Sequence, residues 1–396
     1  MVHKRSPHLK LATPISKEEQ KVRARKRRWR IFKKRFSSFL ILCLLLSSTY
    51  LMMVNRTYNN IQLLSIFPRE YAGSSSFEVF RRGFVRFNRD GISYINRRNQ
   101  EEWLHPLQMQ NPRLDINGNS LVVADIGGNQ IFVFQEEGLI GGFSTHYPIE
   151  RVSVSHQGIV SAILRDENRP KIITYDATGN ILVENHASFQ TYGYPTALQM
   201  SRDGTVLGVS FLSMRDTGLL SKVIYYNFGQ AGEHKPNREV SITEQNNQIV
   251  ADLLSLGPST MVAVSDTTFT IYEGIQVPQR QVEVSLGGEI RRVFHSDTHI
   301  GFVLVDTLGE GYRLQVYNRS GILVLDHPLD VDYNQVRMVG SQIMMYEGSR
   351  FMIMSTTGVI RYQGSVEGNI QLIQPAGGIN GFYIMTDHEL QVVYLL

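Results

Sequence analysis

The hydrophobic pattern divides the chain into one continuous apolar run and a long body of short apolar segments. Between Arg35 and Arg56 no residue is charged, and ten of the 19 residues Phe36–Val54 are Leu, Ile, Phe or Val. As a helix this run extends about 28 Å at 1.5 Å per residue, close to the hydrocarbon thickness of a bilayer. The pattern therefore predicts a single transmembrane helix over 36–54. From residue 79 onward no amphipathic helical period appears. Apolar segments of strand length alternate with polar turns instead.

Two phrases recur in that body. The first is an apolar strand ending in a polar turn with glycine: Phe87–Gly91 (FNRDG), Phe134–Gly138 (FQEEG), Tyr175–Gly179 (YDATG), Tyr317–Gly321 (YNRSG) and Met354–Gly358 (MSTTG). Looser copies stand at Tyr226–Gly229 and Tyr272–Gly274, so successive glycines lie 47, 41, 50, 45, 47 and 37 residues apart. Polar residues start a tight turn and glycine takes the left-handed position that side chains resist. The interval is that of a propeller blade. The second phrase, strand–turn–strand, lies in antiphase at 113–125, 151–163, 197–210, 250–265, 290–305, 336–346 and 370–385. Its second strands, such as GFVLV and LVVA, are apolar on both faces, as sheets stacked around an axis require.

The fold class that follows is all-β. Residues 79–396 form one β-propeller of four-stranded antiparallel blades, with seven inner hairpins predicting seven blades. Eight stay open, because 79–107 is long enough for three strands. The last strand, ELQVVYLL, has nothing after it, so 79–107 and the C-terminus are expected to share the blade that closes the ring. A β-solenoid or two sandwiches is the alternative.

Charge fixes the expected topology. Residues 1–35 hold 14 Lys/Arg against Glu18 and Glu19, leaving 26 basic and 34 acidic residues for the rest. The basic flank before the apolar run predicts a cytoplasmic, disordered tail over 1–35 and an extracytoplasmic body. Residues 55–78, including AGSSS, read as a stalk. A cleaved signal peptide is the competing reading, but no small-x-small site closes the run; Ser47–Thr49 is the nearest approach. The lipid bilayer is thus the first partner. A net acidic body argues against nucleic acid. Cys43, the only cysteine, lies inside the run, so no disulfide framework exists within one chain. The sequons at Asn55 and Asn318 read as chance matches.

A set of phrases resembles an uncharacterised family of Gram-positive bacteria: RDGISYIN (89–96), Trp103, QNP (110–112), VADIGGNQIFVF (123–134), PIERVSVSHQG (148–158), GYPTALQMSRDGT (193–205) and KVIYYNFG (222–229). The resemblance implies a single-pass membrane protein with a basic N-terminus and a propeller-like extracytoplasmic domain. It implies no activity.

The search for chemistry yields no catalytic, cofactor-binding or metal residue, and no cofactor is expected. The glycine-rich stretch 124–142 lacks GxGxxG and is followed by a strand pattern, so it reads as a blade turn. His295 and His299 are four apart, but in a hairpin without the glutamate of a zinc helix. Asp330, Asp332 and Asn334 begin a calcium-loop spacing that fails at Gln335 and Ser341. Ser201–Thr205 (SRDGT) reads as a hairpin. There is no GxSxG elbow. Ligand-binding residues stay unidentified, because sequence does not pair side chains across a channel. The expected function is a non-catalytic binding or scaffolding module in the cell envelope, its partner an envelope protein or a cell-wall polymer. The alternative is a propeller hydrolase acting on cell-surface glycans, which needs two carboxylates converging in the funnel.

Overall fold

The structure, a computed structural model, describes residues 17–54, 56–68, 75–166, 169–185, 189–216, 218–306, 311–378 and 380–396. Two compact units divide it, 1–56 and 57–396. The first is a helix, Lys17–Val54. Its segment Trp29–Met52 is long and apolar enough to cross a membrane, and its side chains are exposed. The helix starts well before the apolar run, within residues expected to be disordered. The Asn55 sequon position, most of the AGSSS join and residues 1–16 lie outside the described residues.

The second unit is a ring of eight four-stranded antiparallel sheets. Blades 1 to 7 occupy 76–106, 112–144, 149–185, 194–246, 250–285, 290–329 and 335–365. Blade 8 takes three strands from 370–395 and its outer strand from Ile61–Pro68. All seven predicted inner hairpins are inner hairpins of the ring. The eighth is Ser76–Phe87, whose turn is Arg81-Arg82 with no glycine, and Arg81 sits at φ 52°.

The same substitution of turn chemistry explains the seven-blade expectation. In blades 2 to 7 the glycine phrase joins the third strand to the outer one, but Phe87–Gly91 joins the second to the third. The true counterpart in blade 1 is Ile95–Asn99, where Asn99 takes the left-handed position at φ 60°. Asparagine tolerates that conformation, so the turn kept its geometry and lost its glycine. Residues 76–106 are therefore a complete blade. The ring is closed earlier in the chain, by part of the segment read as a stalk.

That closure is extensive. Ile61–Pro68 pairs antiparallel with Glu389–Leu395, from Ile61 opposite Leu395 to Pro68 opposite Glu389. The Asn59 and Asn60 amides donate to the Leu396 carbonyl, and the Leu396 amide returns a bond to Asn60. The Tyr58 amide reaches the Arg361 carbonyl of blade 7 at 2.7 Å, and the buried Arg361 guanidinium lies 5.4 Å from the Tyr58 ring centre. The core sits between blades as separate apolar layers, for example Val122, Val133, Val160 and Ile173 between blades 2 and 3. Both faces of the central strands are therefore covered, as their unbroken apolar runs demand.

Candidate functional site: the central funnel

Inner strands of blades 2 to 5 line a cavity of about 540 Å³ at the ring's centre. That volume falls within the usual range of small-molecule sites. Its polar groups come from equivalent places: Arg113 and Asp115 in blade 2, Arg151 and Ser153 in blade 3, Gln199 in blade 4, Asp252 in blade 5.

Local backbone irregularity aims them. The inner strands of blades 3 and 5 are bulged between Ile149 and Arg151 and between Val250 and Asp252. An extra residue kinks the strand and turns the following side chain, here Arg151 and Asp252. The blade 3 bulge is clasped by the glycine turn of blade 2: Gly127 donates to the Ile149 carbonyl and Ile149 donates to the Gly128 carbonyl, both at 2.8 Å. Gly127 holds φ 90°, so this clasp uses glycine's freedom. The stretch 124–142 is thus a blade turn that shapes the funnel.

The depth order follows from inter-blade bonds. Asp115 Oδ2 accepts from the Val154 amide at 2.8 Å, and Ser153 Oγ accepts from the Met200 amide at 3.1 Å. Arg113 is two residues earlier on the same face of its strand, so it stands above Asp115. Arg151 and Asp252 are each the first paired residue after the bulge of their inner strand, which sets Asp252 level with the Arg151 layer. The upper tier is therefore Arg113, Arg151 and Asp252; the lower tier is Asp115, Ser153 and Gln199.

Charge balance is uneven. Glu150 at the rim is satisfied by Arg165 Nε at 2.6 Å and the Tyr194 hydroxyl at 2.6 Å. Burial, then the Glu150 hydrogen bond, pushes the Tyr194 phenol up to about 12. Among the described residues Asp115 and Asp252 form no ion pair within 4 Å, nor does Arg113. Desolvation raises the Asp115 carboxyl above its ordinary value despite hydrogen bonds from Val154 and Ser153. Asp252 is raised by desolvation and further by the Asp115 charge, against the pull of Arg151. Both side chains keep some surface open to the funnel, yet protein encloses them closely enough to weaken hydration.

Across the ring the charges are matched. Arg292 bonds Asp332 Oδ1 at 2.9 Å and the Asn334 carbonyl at 2.9 Å, so the calcium-like spacing serves as an arginine clamp between blades 6 and 7. Arg337 meets Glu78 at 2.6 Å between blades 7 and 1. His295 ends one strand and His299 begins the next, where its Nδ1 is 2.8 Å from Thr298 Oγ1. Among the described residues no three His, Cys, Asp or Glu side chains gather to hold a metal ion. In 201–205 the Asp203 carboxylate accepts from Ser201, Thr205 and the Thr205 amide, closing a turn.

Several of the phrases that carry the family resemblance make bonds between loops and between blades. The Asp125 carboxylate accepts both the Gln110 and Asn111 amides, tying VAD to QNP. His156 accepts from the Asn119 amide and its own amide donates to the Arg202 carbonyl, linking blades 2, 3 and 4. Trp103 stacks 5.1 Å from Phe134 and donates its indole N–H to the Glu136 carbonyl, joining blades 1 and 2. None of the funnel charges was singled out from sequence. The available signal was a charged residue within an otherwise apolar inner strand, as in "RLDIN" and "VADLLS".

Ring and funnel together define a β-propeller with a polar central cavity. The chain belongs to a family of unknown function (DUF5711), which matches residues 54–395. No curated protein matches it. Among solved structures it resembles BamB from Moraxella catarrhalis, with TM-score 0.50 and 11% identity over 85% of this chain and all of that one. It also resembles the computationally designed Ika8 protein, with TM-score 0.54 and 12% identity over 86% of this chain and 100% of that one. The Dos1 propeller gives TM-score 0.53 and 11% identity over 84% and 95%. At such identities the likeness concerns the fold.

Proposed function

We propose that this protein is a single-pass membrane protein of the Gram-positive cell envelope whose extracytoplasmic propeller is a non-catalytic binding or scaffolding module. The basic residues before Phe36 favour a cytoplasmic N-terminus, and the apolar run serves as an uncleaved anchor. The partner is an envelope protein or a cell-wall polymer. The observation that carries the reading is the funnel on blades 2 to 5, where among the described residues Arg113, Asp115 and Asp252 form no ion pair within 4 Å, while Arg292–Asp332 and Arg337–Glu78 across the ring are paired. A photo-activated cross-linker at Leu254, in the funnel wall, should capture one recurrent envelope partner in intact cells. The same cross-linker at Ile242, exposed on an outer strand, should not. Equal capture at both positions, or none at Leu254, overturns the funnel as the binding face.

A specific observation favours a second reading, hydrolysis of surface glycans: Asp115 and Asp252 line the same cavity and the Asp115 charge acts on Asp252, so ionisation of one favours retention of the proton on the other, the division of roles an acid–base pair needs. Release of reducing ends from purified envelope glycans, abolished by Asp115→Asn and by Asp252→Asn, would establish it. No release by the unmodified protein removes it.

A further inference from the structure

We propose that the funnel mouth binds a linear zwitterionic group, its ammonium held between Asp115 and Asp252 and its anionic end on Arg113. The inference rests on the funnel being a binding site and names the chemistry of what enters. Two carboxylates face one cavity, and among the described residues neither has a cation within 4 Å, although Arg151 acts on Asp252 from farther away; Arg113 is an exposed cation with no carboxylate within that distance. Burying an unmatched charge is costly, so a guest of opposite sign gains both its own attraction and relief of that cost. A purely cationic guest meets Arg113 and Arg151 in the upper tier, and a purely anionic one meets the two aspartates. A guest with separated charges answers both.

The tiers set the spacing. Arg113 and Asp115 are two strand residues apart, on the order of 7 Å. A lysine ε-ammonium and the α-carboxylate of the same residue can stand that far apart. Donors are also provided for: Ser153 Oγ and the Gln199 side chain lie in the lower tier beside Asp115. Arg151, level with Asp252, already interacts with that aspartate, whereas no cation acts on Asp115, so the Asp115 carboxylate is the one left for a guest ammonium. Charge-assisted hydrogen bonds of this kind specify as well as hold.

The test uses the full-length protein in nanodiscs and Nα-acetyl-lysine as probe, read by saturation-transfer NMR and titration at neutral pH. Nα-acetyl-lysine should bind in the millimolar range. Acetylating the ε-amine should abolish binding, and converting the carboxylate to an amide should weaken it several-fold. Asp115→Asn should weaken binding at least tenfold. Arg113→Gln should weaken the free acid three- to tenfold yet leave the amide unchanged. Binding of the doubly acetylated probe equal to that of the parent, or no effect of Asp115→Asn, overturns the proposal. Loss of probe binding with retained partner capture at Leu254 would sink this ligand class and leave the binding-module reading standing.

Discussion

Two aspartates hold the stability signature of the site. Asp115 and Asp252 ionise less readily in the folded chain than in the unfolded one, because burial strips their water. A raised folded value means that the folded state is disfavoured once pH exceeds the ordinary carboxylate value, and unaffected below it. Asp115→Asn and Asp252→Asn should therefore each stabilise the protein at pH 7, on the order of 1 kcal/mol. That gain should disappear below about pH 4. Thermal unfolding measured across pH checks this; a gain that persists at pH 3 would assign the effect to packing. Asp176 shows the opposite sign. Its carboxylate accepts from Asn180 and Thr178, which hold it down at about 2, and it sits where YDATG predicted a turn. The turn aspartate was legible because its partners are two and four residues away. The funnel aspartates were not, because their environment comes from three blades.

At the scale of elements, the outer strand Ile61–Pro68 is the one that matters most. It closes blade 8 across the whole length of Glu389–Leu395, so ring closure depends on a segment far away in sequence. Gln62 and Tyr394 face one another in that pairing. A Gln62→Cys, Tyr394→Cys chain, with Cys43→Ser to remove the native thiol, should oxidise to a disulfide under mild conditions. The cross-link should raise the unfolding midpoint by several degrees, since it ties nearly the full chain into one loop. Failure to oxidise would contradict the register. The segment escaped a strand reading because IQLLSIFP follows the apolar helix, ends in proline and lacks a hairpin partner nearby. Pairing with the C-terminus is the information it needed.

For the whole molecule, the proposed topology rests on charge. Replacing Arg23, Arg25, Lys26, Arg27, Arg28 and Arg30 with Gln should weaken the orientation bias and place a reporter fused after Leu396 on the cytosolic side in part of the population. An unchanged distribution would show that another signal sets orientation. The propeller itself was legible because each blade repeats the same local grammar: an inner hairpin, a doubly apolar second strand and a glycine turn. Those are short-range preferences, set within a few residues by backbone sterics and by which faces are apolar. Sequence alone thus determined an apolar segment of membrane-spanning length, an all-β ring and the phase of most blades. Tertiary structure decided the eighth blade, since Asn99 and Arg81 hold turn positions where glycine was sought, and it decided the closing strand. It also decided the funnel, where Arg113, Asp115, Arg151 and Asp252 meet across blades, because electrostatic coupling depends on distance through space, which a linear pattern does not encode.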